Sequence, residues 1–303
     1  MRTLGVALAA LALAACGEQA LPAAPAPTSE PGAALDLGTA PSPLAVRLAD
    51  PRDTVRVQLR KPPAAGLLFD VDTGRVLWRL HPNRQRPIAS LTKMMTALVV
   101  DERIDAGKKV SISTRALNTT GSAVGLFRPG LRIGVSTMLH GLLLPSGNDA
   151  ARALAEGAAG GSINRFVRYM NDTAARLGLR CSRFATPSGL KDAGNHSCAA
   201  DLAAMARAVL RSPRLASIVA RPQAIMRFPT KGGRIYYTNH NPLLQNRYRG
   251  TTGVKTGYTE AAGSCFVATA RRGAVELGVV LLDSPDIDAQ ARELLDRGFR
   301  SVS

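Results

Sequence analysis

Apolar residues between positions 86 and 99 recur at the spacing of an α-helix. They are Ile88, Leu91, Met95, Leu98 and Val99, which share one face when the chain turns every 3.6 residues. Pro87 stands where a helix can begin. The pattern therefore predicts a helix with Ser90 in its first turn and with Lys93, one turn later, beside the Ser90 hydroxyl.

The remaining pattern predicts strands near both ends of the folded region and helices between them. Apolar runs around Asp72-Thr73-Gly74 predict a hairpin of residues 66–71 and 75–79. Helical spacing predicts helices at 136–143, with Ser136 as the N-terminal cap, and at 150–158, 162–177 and 199–210. Later runs predict strands at 224–228, 252–256, 264–270 and 275–282 and a closing helix at 286–297. This order is typical of an α+β domain built on one antiparallel sheet.

The composition is that of a globular, strongly basic protein. Of 303 residues, 46% are hydrophobic, which is enough for one large domain or two ordinary ones. The formal net charge is +17, yet only 4% of the residues are aromatic and no basic run alternates with stacking residues. The thin spread of the basic residues and the low aromatic content argue against a nucleic-acid partner. The net positive charge itself favours an anionic lipid surface or cell-wall polymer.

The first 63 residues read as a leader and a tether. Arg2 precedes an apolar run at residues 4–15 that is too short to span a bilayer and ends in Leu-Ala-Ala-Cys16. Residues 1–16 thus resemble a bacterial lipoprotein signal with Cys16 as the lipidated residue; the alternative is an ordinary signal peptide with an incidental cysteine. Residues 17–63 are rich in Pro and Ala and predict a linker, so residues 64–303 would form the catalytic domain.

Three short polar motifs carry the candidate chemistry. Ser90 and Lys93 form an S-x-x-K pair, in which a neutral lysine could accept the proton of a serine nucleophile. Taken alone, this pair is weak evidence, because a solvated lysine on a helix is common. Ser146-Gly147-Asn148 follows the helix stop at Pro145, and Lys255-Thr256-Gly257 lies on a predicted strand. The order of all three motifs in one exported chain makes chance a poor explanation.

These motifs together resemble the signature of penicillin-binding proteins and class A β-lactamases. From about Ala64 to Phe299, the chain resembles the D-alanyl-D-alanine carboxypeptidases of the S11 serine peptidase type. The stretches that carry the resemblance are residues 87–96, 142–151, 186–190 (Thr-Pro-Ser-Gly-Leu) and 255–259. The resemblance implies the serine β-lactamase/transpeptidase-like fold, in which a helical subdomain packs on an antiparallel sheet and the site lies in the groove between them.

The resemblance also implies roles for the motif residues. Ser90 would attack the carbonyl between two terminal D-alanines of a peptidoglycan stem peptide and form an acyl-ester, which makes β-lactams inhibitors. Lys93 would take the serine proton, and Ser146 would pass a proton to the leaving amine. The substrate would be bound by Asn148, Lys255, Thr256, Gly257 and Tyr258, with the N–H groups of Ser90 and Tyr258 as the oxyanion hole.

Two departures from the family qualify this interpretation. Some members carry an arginine after the last strand that helps bind the terminal carboxylate, whereas here Asp283 begins an acidic stretch, so carboxylate binding would rest on Lys255 and Thr256. The separate C-terminal β-domain of some relatives is not expected, and an N-terminal lipid would replace a C-terminal anchor.

Several rival functions remain open or are disfavoured. A D,D-endopeptidase acting on cross-links fits the same motifs, and so does a β-lactam-binding sensor without turnover. A β-lactamase would need a deacylating base, and no Glu-x-x-Leu-Asn stretch follows Ser146. The four histidines, at positions 81, 140, 196 and 240, are scattered, and there is no H-E-x-x-H or G-x-S-x-G motif, so neither a metal nor another cofactor is predicted.

Three cysteines besides Cys16 would lie in an oxidising compartment. We expect a disulfide between Cys181 and Cys198, because they flank the segment that carries residues 186–190. The alternative is three buried thiols that act as small hydrophobic groups.

Overall fold

The structure is a computed structural model that describes residues 42–50, 53–190, 194–229 and 233–302. Its main strands lie near both ends of the folded region and most of its helices lie between them, as the sequence predicts. Cys16, the predicted signal and the first part of the linker lie outside these residues. In the described ranges, no helix is both long and apolar enough to cross a membrane.

Within the described ranges, the strands form one five-stranded antiparallel sheet and three small two-stranded pairs. They are β1 (Ala65–Asp70), β2 (Val76–Leu80), β3 (Arg86–Pro87), β4 (Lys109–Ser111), β5 (Arg132–Gly134), β6 (His196–Ser197), β7 (Gln223–Arg227), β8 (Arg234–Thr238), β9 (Thr251–Thr259), β10 (Gly263–Arg272) and β11 (Val275–Leu282). The main sheet has the order β2-β1-β11-β10-β9, so the first and last strands of the domain are neighbours and β9 is an edge strand. The predicted α+β class is confirmed.

The helices lie mostly between β3 and β7. They are α1 (Thr92–Arg103), α2 (Thr114–Leu117), α3 (Val135–Leu143), α4 (Asn148–Ala158), α5 (Ile163–Arg176), α6 (Ala199–Arg211), α7 (Pro213–Val219), α8 (Pro242–Gln245) and α9 (Ile287–Val302). Helix α1 lies centrally, in contact with α3, α4, α5 and α6. This central position leaves its nine residues from Thr92 to Val100 buried.

Both faces of the sheet are covered, because successive side chains of a strand point to opposite sides. Leu67 and Phe69 pack towards α6 and the helical subdomain, whereas Leu68 joins Leu294 and Leu295 of α9 on the other face. Strand β11 is consequently buried along almost its whole length. Helix α7 and the turn Ala89–Leu91 before α1 contact the edge strand β9, where the candidate site lies.

Residues 42–50 and 53–63, which were predicted to belong to the linker, pack in part against the folded domain. Leu44, Val46 and Val55 are buried against the domain. Arg207 of α6, itself 3% exposed, donates to the carbonyl oxygens of Leu44 and Ala45 at 2.6 and 3.0 Å. The predicted linker boundary at residue 63 is therefore too late, because the apolar residues that follow the Pro-rich stretch find partners far along the chain.

Of two further predictions of local structure, one is confirmed and one is wrong. The Cys181–Cys198 disulfide is present. The prediction that Ser136 caps a helix is wrong, because α3 begins at Val135 directly after β5 and its cap position is Gly134. Helix α7 and strand β8 were not predicted.

Candidate active site

Ser90 lies at the entrance to helix α1, in a short 3-10 turn formed by Ala89–Leu91. Ala89 has a φ of 47°, in the left-handed region that residues other than glycine seldom occupy. Side chains three apart face the same side of the turn, so Lys93 reaches back to Ser90. The Lys93 Nζ and the Ser90 Oγ are 2.8 Å apart.

The Lys93 amine has three partners and no contact with solvent. Besides Ser90, it donates to the Asn148 Oδ1 at 2.8 Å and to the Ser188 carbonyl oxygen at 2.9 Å. The residue is 0% exposed. Because Asn148 donates its Nδ2 to the Thr120 carbonyl at 2.7 Å, its Oδ1 is oriented as an acceptor for Lys93.

This set of partners suits a neutral lysine. An –NH₂ group has two donors and one lone pair, and here two partners accept while the third is a hydroxyl that can donate. Burial, followed by the charge of Lys255, holds the pKa of Lys93 well below its usual value, although Asp149 opposes this shift. Lys93 can therefore accept a hydrogen bond from the Ser90 hydroxyl and then its proton.

Asn148 is held by a loop that sequence reasoning did not assign to the site. Its backbone N–H donates to the Ser122 carbonyl at 2.7 Å, and its side chain holds Thr120 as above. Asp149 fixes the same loop, since its carboxylate accepts from the N–H groups of Val124 and Gly125 at 2.9 and 3.1 Å. The feature of the sequence that could have indicated this loop contact is Asp149, the acidic residue directly after Ser-Gly-Asn, in the first turn of α4.

Ser146 occupies the turn between α3 and α4 with an unusual backbone conformation. Its φ is 64°, and the residue is only 4% exposed. Its hydroxyl is buried without a hydrogen-bond partner among the described residues. A strained backbone and an unpaired buried hydroxyl are features that cluster at functional sites.

The Ser188 carbonyl is a site group that no side-chain motif could reveal. Its loop is tied to α1, because Thr96 donates its hydroxyl to the Pro187 carbonyl at 2.6 Å. Gly189 has a φ of +74°, and a Cβ placed there would lie 2.0 Å from the Ala89 carbonyl oxygen. Only glycine allows this loop to approach the Ser90 turn closely.

Strand β9 forms the other wall of the site. A Cβ on Gly257 would lie 2.9 Å from the Ser90 backbone nitrogen, so the strand and the Ser90 turn touch there. Lys255 is 1% exposed, donates to the Thr256 carbonyl at 2.8 Å, and has its pKa lowered to about 7 by burial. Tyr258 is 67% exposed at the end of this wall.

His240 borders the same wall, although sequence reasoning treated it as an ordinary histidine. Its backbone N–H donates to the Leu144 carbonyl at 3.2 Å, near the Ser146 turn. Partial burial, followed by the charge of Lys255, lowers the pKa of His240.

Asp283 begins the acidic stretch that distinguishes this chain from some family members, and it is paired with a basic residue near Ser90. Its Oδ2 lies 2.5 Å from Nη2 of Arg86, four residues before Ser90. The carboxylate is thereby partly neutralised. Lys255 and Thr256 remain the groups of the predicted set that can attract a substrate carboxylate.

The structure thus brings Ser90, Lys93 and Asn148 into direct contact, with Gly257 against the Ser90 amide and Lys255 within electrostatic range of Lys93. In the described part of the chain, the side chains with metal-ligating spacing are Cys181, Cys198 and Asp201. Because the two sulfur atoms are bonded to each other, this group offers no thiolate pair to a metal.

The sequence and the fold both match known D,D-peptidases. The family profile described as D-alanyl-D-alanine carboxypeptidase, Peptidase_S11, matches residues 60–286. The D-alanyl-D-alanine carboxypeptidase DacF of Bacillus subtilis is 35% identical over 78% of this chain and 61% of its own length. The chain thus spans about three fifths of that relative. The DacB2 carboxypeptidase of Mycobacterium tuberculosis is 37% identical over 78% of this chain and 82% of its own length.

Two further matches carry different names for related reactions. A D-alanyl-D-alanine endopeptidase of Pseudomonas aeruginosa is 33% identical over 78% of this chain and 76% of its own length. The crystal structure of the Streptomyces K15 DD-transpeptidase superposes with a TM-score of 0.75 at 28% identity, covering 81% of this chain and all of that one.

Proposed function

This chain belongs to the peptidase S11 family of D-alanyl-D-alanine carboxypeptidases, and on that basis we propose that it removes the terminal D-alanine from peptidoglycan stem pentapeptides. The observation that carries the proposal is the buried Lys93 amine, 2.8 Å from the Ser90 hydroxyl and held by two fixed acceptors. A nucleophile next to a lysine kept neutral is what serine acyl transfer requires.

In the proposed reaction, Ser90 Oγ attacks the carbonyl carbon of the penultimate D-alanine while its proton moves to Lys93 Nζ. The oxyanion would be bound by the N–H groups of Ser90 and Tyr258, next to the point where Gly257 lets β9 approach the Ser90 turn. The tetrahedral intermediate then collapses, and the C–N bond breaks. The leaving D-alanine amine takes a proton that began on Ser90 and reaches it through Ser146, whose hydroxyl is free of other partners among the described residues.

The acyl-ester on Ser90 is released by water in a second half-reaction. Water gives a proton to Lys93 as it attacks, and the Ser90 oxygen recovers one when the ester C–O bond breaks. Asn148 would bind the substrate backbone, and Lys255 with Thr256 would hold the terminal carboxylate. The same site would be acylated by β-lactams, whose ring carbonyl takes the place of the peptide carbonyl.

Cleavage of cross-linked peptides is a second candidate function, supported by the similarity to the Pseudomonas aeruginosa endopeptidase. Both reactions share the Ser90 acyl-ester and differ in the group that leaves. Incubation of the purified protein with pentapeptide and, separately, with cross-linked muropeptides distinguishes them. We expect free D-alanine from the pentapeptide to appear faster than monomers from the cross-linked substrate. Covalent penicillin binding without either product would instead indicate a sensor.

The charge of Lys255 predicts a pH dependence. Burial lowers its pKa to about 7, so the ammonium is present below that pH and is lost as the pH rises through it. We expect kcat/KM for a peptide with a free terminal carboxylate to fall across this range, because kcat/KM reports the ionisation of the free enzyme. The same peptide with a terminal amide is the matched substrate and should lose less. Identical pH profiles for the two peptides would contradict carboxylate binding by Lys255.

We also propose that Cys16 is lipidated and anchors the protein to the membrane, with the catalytic domain in the cell-wall or periplasmic space. The support is the sequence Leu-Ala-Ala-Cys16 at the end of a short apolar run. Replacing Cys16→Ser should shift the protein from the membrane fraction to the soluble fraction. A variant that still fractionates like the parent would refute the anchor.

A further inference from the structure

Three grooves among the described residues differ in the charges that line them. A groove of about 680 Å³ contains Asp53, Arg56 and Arg297, and one of about 440 Å³ contains Arg60, Lys61, Asp286 and Glu293. Both therefore carry charges of both signs. The groove of about 540 Å³ is lined by Arg103, Lys108, Lys109 and Arg132, and no carboxylate lines it. We call this one the basic groove.

The basic residues of the groove come from helix α1, from strands β4 and β5, and from the turn that joins α1 to β4. Arg103 ends α1, Lys109 lies on β4, and Arg132 lies on β5, where it is paired across the strands with Ser111. Lys109 and Ser111 are two residues apart, so they share one face of the strand pair. Ile104, Val110 and Gly157 complete the lining of the groove. All four basic residues therefore border one concavity.

None of the described carboxylates forms an ion pair with a cation of the groove. The ion pairs of the described residues leave out Arg103, Lys108, Lys109 and Arg132. Arg103 instead lies 3.4 Å from the centre of the Tyr169 ring, which positions its guanidinium.

The acids closest along the chain have other roles. Glu102 pairs with Arg176 at 2.7 Å, and Glu156 pairs with Arg152 at 2.9 Å. Asp105 lies in the turn before Lys108 but does not line the groove. Among the described residues, four cations and no carboxylate therefore line the groove.

A concave surface that carries charges of one sign concentrates the electrostatic field and attracts ions of the other sign. Arginine offers paired donors to phosphate or carboxylate oxygens, and lysine adds point charges. Four cations along one groove fit a ligand that repeats its anionic groups. A bilayer presents its headgroups on a surface too flat to reach the walls of a concavity.

We propose that the basic groove binds a linear polyanion with repeated phosphate groups. The groove is separated from the catalytic serine by helix α1, since Ser90 precedes its first residue and Arg103 is its last. Twelve residues at 1.5 Å per residue make the helix about 18 Å long. A polymer in the groove therefore leaves the catalytic site open and holds the enzyme at a polymer-bearing surface. This proposal does not depend on the proposed function.

The test uses the purified full chain and soluble linear polyphosphate as the probe. The variant K108E/R132E reverses two charges of the groove, and the control R249E/R300E reverses two exposed arginines elsewhere. Each variant replaces two positive charges by two negative ones, so their net charges remain equal. We expect the groove variant to weaken polyphosphate binding by about tenfold or more and the control by about twofold or less. The salt dependence of binding should also become shallower in the groove variant alone.

Parallel measurements identify the source of the anion. Vesicles of phosphatidylglycerol and a carboxylate polysaccharide are tested with the same three proteins. Equal losses in both variants would overturn the proposal, because they would reflect net charge alone. Groove-dependent binding to vesicles or to the carboxylate polymer, without binding to polyphosphate, would also overturn it. Acylation of Ser90 by penicillin should be the same in all three proteins and serves as the test of folding.

Discussion

Replacing Lys93→Arg should lower the rate of Ser90 acylation by about 10²- to 10⁴-fold, the range typical of general-base catalysis. Arginine keeps the positive charge but is effectively never deprotonated, so it cannot accept the serine proton. It also has no lone pair to offer the Ser90 hydroxyl. The measurement is the rate at which a fluorescent penicillin labels the protein, with the labelled residue identified by mass.

Two comparisons sharpen this result. Lys61→Arg makes the same chemical change on the surface and should leave labelling unchanged. Ser90→Ala should abolish labelling, and adding Lys93→Arg to it should change the fold stability but not the residual activity, because members of one catalytic unit are not additive. A folded Lys93→Arg protein that is labelled at the parent rate would show that Lys93 is not the base.

Replacing Gly189→Ala should be damaging for both stability and acylation. The new Cβ would lie 2.0 Å from the Ala89 carbonyl oxygen and 2.5 Å from the Thr92 hydroxyl, so the loop must move away from the Ser90 turn. That movement would take the Ser188 carbonyl away from Lys93. Leaving a buried donor unpaired costs about 1–3 kcal/mol, which corresponds to roughly a 10- to 100-fold slower acylation if it falls on the active geometry.

The matched control is Gly130→Ala. Gly130 has a φ of +76°, close to the +74° of Gly189, but a Cβ there meets nothing within 4 Å. It should therefore show the backbone penalty alone, about 1–2 kcal/mol, with normal acylation. Thermal unfolding and penicillin labelling are measured on both variants. Equal losses of stability and labelling in the two variants would mean that the close approach at Gly189 does not contribute to acylation.

The sequence predicted the parts of the site that are side chains in short motifs. The contact between Ser90 and Lys93 follows from helical spacing, because local periodicity fixes which residues are neighbours. Asn148 was proposed from its motif and the family resemblance, since its contact with Lys93 joins residues 55 apart in the chain. The Ser188 carbonyl could not be predicted in the same way. Every residue has a carbonyl group, so its role depends on a loop 95 residues away in the chain.

Failures in the fold prediction have a similar origin. Residues 42–63 resemble a linker in composition, and their few apolar residues become informative only once the distant sheet and α6 are in place. Ser136 is a good capping residue, but pairing of Lys109 with Gly134 fixes where β5 ends, and α3 starts at once after it. Contacts between distant segments overrode a sound local preference in both cases.

Arg207 has a practical consequence for anyone who prepares this domain. The family match begins at residue 60, which suggests a recombinant fragment that starts there. Such a fragment would remove the Leu44 and Ala45 carbonyl groups from a guanidinium that is buried and has its other donors on Val71 and Asp72. The N–H groups of the Arg207 Nη1 atom would then lose both of these acceptors. We therefore expect a fragment that begins at residue 60 to be less stable than one that keeps residues 42–59, and a fragment intended for enzymology should begin no later than Ser42.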